Sequence, residues 1–201
     1  ETETKALEKL PPVLKLVDIA DAMFDRAVRL DGIILTKKND EAQKTIFDTR
    51  DETYTGVINV WKVVIELLPT AGLDQKTRKE LEIDGYKVIS RCYHRMKNLE
   101  AARQAITKAI DLGYADGFIS LGAINMDCED YDEAEKSFLS AVAKGVQLMR
   151  AHAGLGELYF KLGTMSLNAK DGKHAQFFTK SEEQFLAAGK ERFGEGYERA
   201  M

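Results

Sequence analysis

Histidine, cysteine and proline are scarce in this sequence, and each scarcity narrows what the chain can do. The three histidines, His94, His152 and His174, stand far apart, and none lies at metal-ligand spacing from a carboxylate or cysteine. Cys92 and Cys128 fall within separate helical segments without metal-type spacing, so they read as buried or half-buried thiols. Gly-rich phosphate loops, nucleophile elbows and paired-cysteine motifs are missing. With no nucleophile, acid–base pair or metal cluster gathered in one place, the chain reads as non-catalytic and as needing no cofactor. Basic excess is missing too: 29 Lys and Arg face 33 Asp and Glu, for a net charge of −4. Nothing domain-wide is available to replace phosphate counterions, so nucleic acid is not an expected partner. No apolar run approaches the roughly 20 residues that cross a bilayer. Only three prolines interrupt 201 residues, which favours long helices.

What is present is apolar spacing of helical period. Residues 1–10 read as a charged tail. From Val13 one stripe runs through Leu16, Val17, Ala20, Phe24, Ala27 and Ile34, with Asp18, Asp21, Asp25 and Arg29 on the other side. Pro11 and Pro12 suit its first turn. Lys37 and Lys38 close this helix, and Asn39 caps the next. The second helix carries Phe47, Tyr54, Val57, Trp61, Val64 and Leu68, and it closes at Pro69. Residues 11–72 thus form a helical hairpin, read either as a lengthened cap on the rest of the chain or as a separate dimerisation element. Asp74 is a candidate N-cap for a third helix reaching about Lys97.

A longer pattern organises residues 86–143. Tyr86, Ile89, Ser90, Tyr93, Ala102, Ile106 and Ala109 recur as Phe118, Leu121, Gly122, Asn125, Ala134, Phe138 and Ala141 at the same internal offsets. A repeat of this size means stacked helix pairs, each too small to bury its apolar face alone. The spacing resembles the tetratricopeptide repeat, with a linker around Gly113 similar to that of Sel-type repeats. The resemblance implies an all-α, right-handed solenoid of antiparallel helix pairs. Residues 73–201 then hold about three repeats, at 83–114, 115–148 and a stretched 149–190, plus a C-terminal extension. In the third, His152, Leu155, Gly156 and Tyr159 mark helix A, with His152 read as core-facing. Residues 163–173 read as an inserted loop or an extended helix with a later break. Ser181, Phe185 and Ala188 give the helix B register, and the Thr179-Lys180-Ser181-Glu182 capping box gives its start.

In the family that this chain resembles, helix A residues outside the packing positions line a concave groove. Carried over, those slots fall on Lys87, Arg91, His94 and Arg95, then on Ile119, Ala123 and Met126, then on Phe160. The four basic residues share one helix face, which either binds a partner or merely solubilises the helix. A carboxylate clamp of the chaperone-binding kind does not fit, because Ala123, Ala153 and Glu157 stand where its polar and basic residues belong. The expected function is capture of a protein segment with apolar anchors and acidic flanks. The alternative is a scaffold that associates with itself through the N-terminal hairpin or through Phe185, Phe193 and Tyr197. A cytoplasmic location is favoured. Because the chain starts at Glu1 rather than Met, a removed leader and an exported, periplasmic protein form the second reading.

Overall fold

The computed structural model describes residues 11–34 and 40–193, apart from the side chains of 40–43 and 193. Among them the regular structure is eight α-helices and one short 3-10 turn, with no strand. The fold is therefore all-α and built from consecutive helix pairs. The chain divides into two compact units, Glu1–Leu112 and Gly113–Met201.

In the first unit α1 spans Pro12–Ile34 and α2 spans Asp40–Leu67, followed by the 3-10 turn Leu68–Thr70. Helix α3 spans Gln75–Arg95 and α4 spans Leu99–Asp111. Proline opens α1 because an N–H at that position would have no helical partner. Its buried residues, Val13, Ala20, Phe24, Ala27 and Ile34, fall on one stripe. The stop and start expected at 37–39 lie outside the described residues. Asp74 caps α3, accepting from the Thr77 amide at 3.0 Å and from its hydroxyl at 2.6 Å. These two bonds hold the Asp74 carboxyl below its ordinary range. The reversal into α4 uses left-handed Lys97, after which Asn98 accepts from the Ala101 amide at 3.3 Å. The second unit repeats this turn with left-handed Glu129 before Asp130.

Trp61, 2% exposed, ties the hairpin to the adjoining repeat. A Cβ added at Gly85 of α3 would lie 2.8 Å from its indole ring, so α2 and α3 approach as closely as a glycine allows. Tyr54, Val57, Ile58, Trp61 and Val64 join Phe24 and Ala27 of α1, Ile89 and Cys92 of α3 and Ala105 of α4 in one core. The compact unit accordingly runs on past residue 72 to Leu112.

The second unit comprises α5 (Gly117–Asp127), α6 (Tyr131–Ala143), α7 (Leu148–Ala169) and α8 (His174–Phe193). Its core centres on Phe138, 2% exposed, whose ring faces both Gly122 of α5 and Gly154 of α7. Ala134, Ala141 and Ala151 around it are fully buried, so the three helix backbones close on the ring. Leu121 is only half-buried. Buried hydroxyls and amides pin each A helix to its B helix. The Ser90 hydroxyl donates to the Ala102 carbonyl at 2.9 Å, and the Asn125 amide donates to the Ser137 hydroxyl at 3.3 Å. The Ser181 hydroxyl donates to the Gly156 carbonyl at 2.8 Å.

Where a stretched third repeat is expected, the chain forms a lengthened hairpin of α7 and α8 without an inserted loop. Helix α7 has 22 residues where α5 has 11, and it ends at left-handed Lys170. The Ser166 hydroxyl reaches back to Asp171 across the turn. Helix α8 begins at His174, which corrects the start expected at Thr179. That residue lies inside the helix, with its hydroxyl on the Ala175 carbonyl at 3.1 Å. The extra turn is retained because Phe178 seats against Gly163.

Phe138→Ala should cost about 3–5 kcal/mol in urea unfolding, since the ring fills the space between two glycine notches. A loss below about 1 kcal/mol would mean that the helices do not close on this ring.

Candidate partner-binding faces

On α3 the basic row is largely engaged within the first unit. Lys87 Nζ pairs with Asp84 at 2.7 Å, and the Arg91 guanidinium lies 4.5 Å above the Phe24 ring of α1. Arg95 Nη1 reaches Asp31 Oδ2 at 3.0 Å, and His94 is half-buried. Asp31 is a hub. Its carboxylate, 15% exposed, also takes Arg50 at 3.2 Å and the Tyr54 hydroxyl at 2.6 Å. One acid on α1 thereby joins α2 and α3. Sequence reading placed Tyr54 on the apolar stripe but missed its partner Asp31, although Asp31 falls seven positions after Phe24 on the same helix face. Further along α1, partial burial raises the pKa of Asp21, with smaller contributions from Asp25, Asp18 and Asp84. This face is thus a mixed surface in which acids and cations alternate, not a basic wall.

The second unit holds the other four predicted residues. Ile119 needs correction as a lining residue: it is 6% exposed and packs with Ala134, Phe138 and Leu155. Helix α5 touches both α6 and α7, so most of its circumference is covered and Ala123 with Asp127 remain exposed. Met126 is half-buried against the same core. Phe160 is 58% exposed, and its ring stands 5.7 Å from Phe178 of α8. Glu157 lies open one turn before it.

Other chemistry-bearing residues are absorbed by packing. His152 Nδ1 meets Gln184 Oε1 at 2.8 Å. Burial pushes the Cys92 thiol up to about 12, which leaves it a protonated, inert side chain near neutrality. Among the described residues no group of three or more His, Cys, Asp or Glu is placed to hold a metal ion. None of their helices is long and apolar enough to cross a membrane.

Asp31→Asn should destabilise the protein by about 1–3 kcal/mol, because Arg50 keeps only Asp51 as a charged acceptor, and Tyr54 and Arg95 lose theirs, in a mostly buried site. Thermal unfolding of the variant checks this. Alkaline pH is a second probe of the same hub. Burial, then the bond to Asp31, raises the Tyr54 pKa well above its ordinary value of 10.0, and burial with Glu135 does the same for Tyr159. The unfolded chain releases these protons near pH 10 while the folded chain holds them. Stability is therefore full below that pH and falls above it. Tyr54→Phe should flatten the alkaline limb of a stability–pH curve; an unchanged limb would sink this assignment.

The tetratricopeptide-repeat family model matches residues 84–112, the C-terminal half of α3 and the whole of α4. Two crystal structures of MamA are similar to the chain. One is 18% identical with a TM-score of 0.39 and covers 72% of this chain and 92% of that one. The other is 20% identical with a TM-score of 0.42 and covers 90% of this chain and 94% of that one. No curated protein sequence matches. Over residues 84–112 the chain therefore carries a helix pair that matches the tetratricopeptide repeat.

Proposed function

We propose that the chain is a non-catalytic protein-interaction module that holds a partner segment against the outward slots of its A helices. The observation that carries this reading is Phe160, a large ring left 58% exposed on such a slot. Covering a phenylalanine contributes about 1.5–3 kcal/mol, enough to serve as an anchor. Open Ala123 leaves room for an incoming side chain, and half-buried Phe178 extends the apolar surface. On the first unit, taken by itself, Arg91 and Arg95 remain exposed although each has an internal contact, and they suit acidic residues of a segment bound there. Ion pairing there modulates rate and selectivity more than affinity. One observation favours self-association as the second reading: Ile19 and Ile33 lie 50% and 41% exposed along α1.

The test compares capture by wild type, Phe160→Asp, and Leu139→Asp as a control on an exposed B-helix position. A partner kept by wild type and control but lost with Phe160→Asp supports docking on the A-helix face. Capture that ignores Phe160, with a multimeric mass that falls in Ile19→Glu, replaces it with self-assembly.

A further inference from the structure

On the opposite side of α3 from the basic row lies a cleft of about 340 Å³, lined by residues of α2, α3 and α4. Tyr86, Ile89 and Tyr93 recur along that side at helical spacing, whereas Lys87, Arg91 and Arg95 face away from it. Ile89, 4% exposed, and Ala105, 6% exposed, form its floor, and the two half-buried phenol rings form its walls. Lys62 comes from α2 and Lys108 from α4, so the cleft is bounded by cations on both sides. Lys62 Nζ donates to the Tyr93 hydroxyl at 3.4 Å, and Lys108 Nζ sits 5.2 Å from the centre of the Tyr86 ring. Neither ammonium has an ion-pair partner among the described residues. The aromatic contacts orient both without neutralising either.

We propose that this cleft docks an extended peptide segment, with an acidic side chain between Lys62 and Lys108 and a neighbouring apolar side chain over the two tyrosines. The volume lies at the lower end of the range for small binding sites, of a size for two or three residues and not for a folded partner. Two ammonium groups select a carboxylate. Glu66 on the same rim disfavours a bare anion but can accept from a peptide N–H, so a ligand carrying both signs fits best. The alanines of α4, Ala101 and Ala105, keep that wall low enough for a backbone to approach. This site stands apart from the A-helix slots and does not rest on them.

The experiment follows isoleucine and alanine methyl resonances of the full chain during titration with the blocked pentapeptide acetyl-Ala-Leu-Glu-Leu-Ala-amide. The Gln-for-Glu peptide and sodium sulfate are titrated in parallel. Saturable shifts at Ile89, Ala101 and Ala105 with the Glu peptide, weakened about tenfold or more in Lys62→Ala and Lys108→Ala, are expected. Thermal unfolding of both variants should match wild type, since the two lysines are exposed and make no ion pair among the described residues. Equal shifts with the Gln peptide, shifts unaffected by either substitution, or no saturable shift would overturn the proposal. Sulfate reproducing the full pattern would also overturn it, leaving a simple anion site.

Discussion

Close approach of two helix backbones with an aromatic ring set into a glycine notch is the contact on which this architecture depends. Trp61 enters at Gly85, Phe138 at Gly122 and Gly154, Phe185 at Gly156 and Phe178 at Gly163. In each case a single added Cβ would meet the ring at under 3.0 Å. An ordinary side chain there would push the pair apart and strip the surrounding alanines of their partners. The notch therefore fixes two things together: how near the helices lie and how each is rotated. Rotation in turn sets which residues of each helix remain outside. On α5, Gly122 is turned inward and Ala123, about 100° further round the helix, stays outside.

This dependence explains how much of the fold could be read from the sequence. Glycines, rings and alanines at fixed offsets are local in sequence, so the helix pairs at 86–143 were legible, as was the cap at Asp74. Ile119 was not. Its neighbours come from two other helices, and repeat slots assign a residue to one face while α5 is covered on several. Asp31 escaped for a related reason. Its partners Arg50, Tyr54 and Arg95 are distant in sequence, and nothing local distinguishes it from the solvated acids of α1. The misplaced start at Thr179 shows the opposite hazard. A capping box is a cheap four-residue pattern, and the ring of Phe178 in the Gly163 notch outweighs it by extending the helix one turn further back.

Electrostatics then shapes what the surfaces can select. A row of four cations on α3 looks in sequence like a general acid-binding wall. In the folded first unit Arg95 is satisfied by Asp31 and Lys87 by Asp84, while Arg91 rests on an aromatic face. Any external carboxylate brought to this row would compete with these internal acids, so charge alone would gain little there. Lys62 and Lys108 are in the opposite position. Their contacts are to phenol groups, which hold an ammonium in place without cancelling its charge.

The lengthened hairpin of α7 and α8 connects packing to surface character within the second unit. Doubling the length of α7 relative to α5 required α8 to begin earlier, since an unaccompanied amphipathic extension would expose its apolar side. The added turn of α8 brings Phe178 to within 5.7 Å of Phe160. In a repeat of ordinary length Phe160 would stand alone, a mobile ring with little to hold it. Beside Phe178 it becomes part of a fixed apolar surface, and a partner that covers it has less side-chain freedom to remove. The same lengthening thus sets Phe160, the most exposed phenylalanine among the described residues, beside a second ring.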